Sequence, residues 1–127
     1  MRENGRIQRI NGQLYFNEGA FKLRVVDDMV TPLLPYEGKE TIFGIRPEDL
    51  YDKLFTAEAP AESTVTSTVE VVEPMGAEVY LHLKAGRHPF IARVSPQARP
   101  EVNQDVDIVF DMGKAHFFDP TAEHAIV

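Results

Sequence analysis

Hydrophobic and polar residues alternate with a period of two along most of this chain, the pattern of β-strands that bury one face. The first run begins at Arg6. Ile7 to Ile10 and Leu14 to Phe16 flank Asn11-Gly12, a pair suited to a two-residue hairpin because both turn positions need positive φ. Asn17-Glu18-Gly19-Ala20 turns the chain back into Phe21 to Val25, where Phe21, Leu23 and Val25 share one side and Lys22 and Arg24 the other. A three-stranded meander is expected, and Thr41 to Arg46 predicts another strand.

Helix is scarce. Asp27 to Pro35 is the one stretch that fits, with Asp27 or Asp28 as a cap and with Pro32 and Pro35 keeping it short. Pro47-Glu48-Asp49-Leu50 predicts a helical turn, proline at its start and acids at its positive end. Residues 52–64, including Ala57-Glu58-Ala59-Pro60-Ala61-Glu62, read as an exposed connector.

The second half alternates more cleanly. Val65, Val69 and Val71 share a phase, as do Ala77, Val79, Leu81 and Leu83, while Glu78, Tyr80 and His82 take the opposite face. Phe90 to Val94 and Val106 to Phe110 repeat the pattern. Each large inward side chain contributes about 1.5–3 kcal/mol by burial, so a one-residue slip is costly. Short strands separated by turns imply an all-β fold, a small antiparallel barrel or sandwich with short helical turns. Residues 1–127 are expected to form a single domain, with two β-rich halves as lobes on a shared core.

Charge narrows the function. The chain has 127 residues, a formal net charge of -7 and no cysteine, with a pI near 5.0. That balance opposes nucleic-acid binding, which needs clustered positive charge. Lack of cysteine excludes disulfides, thiolate metal sites and a cysteine nucleophile. No apolar run is long enough to span a membrane and no secretory leader is recognisable, so direct membrane insertion is not expected.

Catalytic patterns are missing too. No Gly-x-x-x-x-Gly-Lys-Ser/Thr loop is present to cradle nucleotide phosphates. His82, His88, His116 and His124 lack the close spacing of a shared metal site, and Ser63, Ser67 and Ser95 sit in no nucleophile elbow. The sequence does not read as an enzyme, and no cofactor or metal is expected to bind it.

Four segments, in order, resemble one family: Phe43-Gly44-Ile45-Arg46-Pro47-Glu48-Asp49-Leu50; Val71-Val72-Glu73-Pro74-Met75-Gly76-Ala77-Glu78 running into Val79-Tyr80-Leu81; Ile91-Ala92-Arg93-Val94; and Lys114-Ala115-His116-Phe117-Phe118-Asp119-Pro120-Thr121. They are similar to the region that follows the nucleotide-binding domain in the ATPase subunits of maltose-type and glycerol-phosphate-type ABC importers, the transport-associated OB or TOBE domain. The resemblance implies an OB-like barrel, with 65–127 as its core and 1–51 contributing a meander and a strand. It implies a regulatory and dimerisation role in the cytoplasm, peripheral to the inner membrane. Expected partners are the ATPase domain of the parent chain, a second copy and, indirectly, the membrane permeases; ATP and Mg would bind the ATPase domain, which this sequence lacks. Met1 is therefore expected to mark a truncated start.

Five residues stand out as regulatory or interface candidates: Glu73, Gly76, Phe118, Arg46 and Glu48. Glu73 shares the phase of Val65, Val69 and Val71, so it should point inward or along the rim and need a partner. It either pins the Pro74-Met75-Gly76 turn through backbone N–H groups or, by resemblance, belongs to the surface of subunit contact. Gly76, like Gly44 and Gly113, is expected as a turn or close-packing glycine. Arg46 either pairs locally with Glu48 and Asp49 or helps fix the barrel to the ATPase domain. Phe117 and Phe118 are consecutive and should face opposite sides. The resemblance makes Phe118 a candidate anchor, the alternative being that both rings pack internally.

Two other functions remain open on the fold alone. Related OB-like domains bind small oxyanions such as molybdate, for which Thr66-Ser67-Thr68 is the one hydroxyl cluster. Single-stranded nucleic acid would need aromatics among lysines, whereas Tyr80 stands between Glu78 and His82.

Overall fold

A computed structural model describes residues 1–97, 100–122 and 124–127. Two five-stranded antiparallel sheets account for the regular structure. The chain divides into two compact units, one of residues 1–45 with 112–127 and one of residues 46–111.

In the first unit, β1 (Arg2–Ile10) turns at Asn11-Gly12 into β2 (Gln13–Asn17), and β3 (Lys22–Arg24) follows. Asn11 and Gly12 have φ of 50° and 82°, the left-handed pair that a two-residue hairpin requires. α1 (Asp27–Leu33) comes next, then β4 (Glu40–Gly44). Neither Asp27 nor Asp28 caps this helix. Val26 is the N-cap, with no side-chain bond, and both aspartates lie inside the first turn, where their charge faces the positive end of the helix dipole. Strand β10 (His116–Phe118) completes the sheet in the order β10-β4-β1-β2-β3.

Phe16, Phe43 and Phe117 are fully buried in this unit. Their ring centroids lie 5.0 to 6.0 Å apart, within the range of favourable aromatic packing. Gly5 sits opposite Thr41 in the β1–β4 ladder, and the Phe16 ring lies directly over it.

The second unit begins with a helical turn at Pro47–Asp49, as its proline and acids predict, but Leu50 opens a strand, β5 (Leu50–Asp52). The stretch read as an exposed connector therefore starts with a paired residue: Asp52 is buried and its carboxylate accepts the Leu54 N–H at 3.0 Å. The longer strands are β6 (Thr64–Pro74), β7 (Val79–Ala85), β8 (His88–Val94) and β9 (Asp105–Phe110). Their order is β5-β9-β6-β7-β8, and edge strands β5 and β8 also lie close to each other. The sheet thus curls on itself as an OB-like barrel does. Val65, Val69, Leu81, Leu83, Phe90, Ala92, Ile108 and Phe110 are buried here, as the alternation predicts.

In β9, Val109 is buried along with its neighbours Ile108 and Phe110, and in β6 the alternation fails outright. The β6–β7 register shifts between Val69 and Val71, a β-bulge, so every residue beyond it changes face. Val71, expected inside, is 50% exposed. Ala77, given an inward phase with Val79, is exposed in the turn before β7.

Candidate functional site

The β6–β7 hairpin carries two of the five candidates. Glu73 does not point inward: the bulge turns it out, and its carboxylate lies 3.1 Å from His82 Nε2 with half of the side chain exposed. Water still reaches the pair, so it is a modest cross-strand contact rather than a buried charge. Glu73 does not hold the turn either. The Met75 N–H donates to the Glu78 carbonyl at 2.8 Å, and Gly76 takes φ of 79° between them. Glu78 pairs with Arg93 Nε at 2.6 Å, tying the start of β7 to β8. His82 and Arg93 escaped the sequence reading because which side chains meet across a ladder depends on register.

Arg46 and Glu48 lie at the entry to the second unit. Arg46 is exposed and, among the described residues, forms no ion pair with Glu48 or Asp49. The turn is closed instead by the Asp49 N–H donating to the Arg46 carbonyl at 3.0 Å. A backbone bond is enough to hold a turn that begins with proline, and the guanidinium is left in solvent. The Pro47–Asp49 turn packs against β8.

Phe117 and Phe118 separate as expected. Phe117 enters the aromatic core and Phe118 remains part-exposed on the other face. Arg2 places its guanidinium 5.4 Å from the centre of the Phe118 ring, within cation–π range. An added Cβ at Gly44 would stand 3.4 Å from the Phe118 ring, an ordinary contact distance. Nothing in the sequence marked Arg2 as this neighbour.

Beyond Phe118 the chain folds back. Phe117 accepts from the Ile126 N–H at 2.7 Å and donates to the Val127 carbonyl at 3.1 Å. Asp119 anchors the bend: its carboxylate accepts the Tyr36 hydroxyl at 2.6 Å and the N–H groups of Thr121 and Ala122 at 2.8 and 3.0 Å. The Tyr36 hydroxyl first, and then the two backbone donors, hold the Asp119 carboxyl down at about 2. A carboxyl lowered by folding stabilises the fold above its ordinary value of 3.8, and this contribution disappears as pH falls through about 2. Asp119→Asn is therefore expected to flatten the acid limb of a stability–pH curve over that interval. Urea midpoints measured across it, if equally pH-dependent in both proteins, would refute this.

Among the described residues there is no group of three or more His, Asp or Glu side chains arranged to hold a metal. No helix among the described residues is long and apolar enough to cross a membrane. The hydroxyls of Thr66 and Thr68 are already donated to Asp107 and Asp105 at 2.7 and 2.8 Å, and Ser67 is buried with its hydroxyl on the Val65 carbonyl.

The sequence profile of the TOBE domain matches residues 43–118, more than half of the chain. The chain belongs to the TOBE domain family. This TOBE domain is 43% identical over 111 residues to the trehalose/maltose import ATP-binding protein MalK of Thermococcus litoralis, covering 85% of this chain and 30% of that protein. It is 38% identical to the oligosaccharides import ATP-binding protein MsmX of Bacillus subtilis, covering 69% of this chain and 24% of that one. The multiple sugar-binding transport ATP-binding protein MsmK of Streptococcus mutans is 41% identical across 72% of this chain and 24% of its own length. The domain thus spans 24–30% of the length of these three relatives. Among solved structures, the cytoplasmic molybdate-binding protein ModG superposes with a TM-score of 0.75 at 16% identity, covering 94% of this chain and 96% of that one. That likeness concerns the fold alone, and it agrees with an OB-type β architecture.

Proposed function

We propose that this TOBE domain is the C-terminal regulatory module of a sugar-type ABC importer ATP-binding subunit, acting through protein contacts and not through catalysis. The observation that carries this reading is the identity of 38–43% to three sugar-import ATP-binding proteins across most of the chain. The absence of a phosphate loop from the sequence agrees with it. ATP and Mg would then belong to a nucleotide-binding domain of the parent subunit, which works at the cytoplasmic side of the membrane beside the permeases. Pairing with a second copy belongs to the same proposal, with Phe118, Glu73, Gly76, Arg46 and Glu48 as the residues to probe for contact.

The 127-residue chain is expected to hydrolyse no ATP, measured as phosphate release beside an intact relative such as the MalK protein named above. Turnover intrinsic to this chain would end the proposal.

The fold of ModG supports a second reading, binding of a small oxyanion. The chemistry of this surface opposes it. Both outward threonine hydroxyls are committed to aspartates, whose negative charge repels an anion. Calorimetry with molybdate, tungstate and sulfate is expected to show no binding; micromolar affinity would favour the oxyanion reading.

A further inference from the structure

Beyond Val69, β6 loses its second neighbour. Strand β9 pairs only with Thr64 to Thr68, and the loop before it finishes the ladder on the backbone of Val69. The Val69 N–H donates to the Gln104 carbonyl at 2.9 Å, and the Asn103 N–H to the Val69 carbonyl at 2.7 Å. Among the described residues, 70–74 then have β7 on one side and no strand on the other. The bulge has turned Val71 outward at this open end. Val71, Met75 and Val102 are each 50–53% exposed, and Val102 precedes Asn103 in a turn closed by the Gln104 N–H donating to the Glu101 carbonyl at 3.0 Å, which the Asn103–Val69 bond holds beside β6 two residues before Val71.

Charge limits what can cover these side chains. Residues 46–111 hold twice as many acidic as basic residues, and nearly all of the net charge of -7 falls there. Glu70 and Glu101 flank the apolar trio, exposed and with carboxylates that have no partner among the described residues. A second copy laid on this surface would set these glutamates against their own counterparts, an arrangement that costs affinity. Nucleic acid would be repelled as well. An added strand fits poorly, because Pro74 has no N–H and the bulge breaks the ladder, both devices that guard sheet edges. An apolar segment flanked by cations satisfies both the trio and its acidic margin. Met75, flexible and polarizable, can adapt to it.

We propose that the open end of the β6–β7 hairpin, with Val71, Met75 and Val102 at its centre and Glu70 and Glu101 at its margin, docks a lysine- or arginine-flanked apolar segment of another protein through side-chain contacts. This rests on the reading of the domain as a protein-contact module and specifies the chemistry of one contact.

The test is an NMR titration of the 15N-labelled chain with a short peptide alternating lysine and valine, beside a counterpart alternating glutamate and valine. The lysine peptide is expected to shift the signals of residues 70–75 and 101–104, less so as salt is added, and the glutamate peptide to shift none. Val71→Ser combined with Met75→Ser should weaken binding about tenfold, and Glu70→Lys with Glu101→Lys should abolish the salt dependence. Shifts spread over the acidic surface as far as Glu58 and Glu62, or unaffected by the serine changes, would overturn the proposal, as would no shift at all. If the same signals move on dilution of the chain alone, the surface belongs to a second copy and the proposal is wrong. A null titration by a chain that hydrolyses no ATP removes this docking surface alone, whereas ATP turnover ends the wider reading whatever the peptide does.

Discussion

Phe43→Ala is expected to lower the unfolding free energy by about 3–5 kcal/mol, the range for deleting a buried phenyl ring. Phe43 packs against both Phe16, at 5.0 Å, and Phe117, at 5.5 Å, and all three rings are excluded from water. Its removal forfeits burial, two ring contacts and the filling of a space that stiff aromatic neighbours cannot collapse into. Against a typical total of about 5–15 kcal/mol, that is a large fraction. Circular dichroism through a urea titration would show the midpoint falling with little change in slope. Phe118→Ala is the control: its ring is part-exposed and held on one side by Arg2, so the loss should stay below about 1 kcal/mol. Equal losses from the two substitutions would contradict the assignment of Phe43 to the centre of the core.

Gly5→Ala should cost about 1–3 kcal/mol, an unusually large penalty for adding one methyl group. The new Cβ would stand 2.5 Å from Phe16 Cζ, 2.6 Å from Phe16 Cε1 and 2.7 Å from the Asn17 carbonyl oxygen. One obstacle is backbone, and the other is a ring wedged in the aromatic cluster, so neither yields cheaply. Backbone preference is not the cause, because Gly5 is not among the residues with positive φ. Gly44→Ala separates the two explanations. There the nearest atoms are Phe118 Cε2 at 3.4 Å and the Met1 carbonyl oxygen at 3.9 Å, ordinary contact distances that predict little change. Comparable losses at both glycines would indicate a general effect on strand propensity instead of a clash at Gly5.

The functional candidates divide by how local their determinants are. Gly76 could be read directly, because a turn needing positive φ lies within a few residues of chain. Phe118 was half legible: strand geometry requires that one of two consecutive aromatics face away from the core, but the choice of Arg2 as its neighbour depends on a pairing more than a hundred residues away in sequence. Of the two positions open to Glu73, inward or along the rim, the shift of register excludes the first, and of the two roles open to Arg46, the local pair with Glu48 and Asp49 is not formed, a backbone bond closing the turn instead.

Alternation, the Asn11-Gly12 turn and the prolines of 32, 35 and 47 were sufficient to establish a β-rich barrel or sandwich with short helical turns, because each acts over neighbouring residues whatever the rest of the chain does; that it is OB-like was implied by the family resemblance. The bulge between Val69 and Val71, the burial of Asp52 and the meeting of Tyr36 with Asp119 were decided only by the folded sheets. A bulge inserts a residue without changing local composition, and a cross-strand partner is selected by register, which settles only when both strands have buried their faces. The surface proposed for docking lies just past that bulge, where sequence periodicity no longer indicates which side a residue faces.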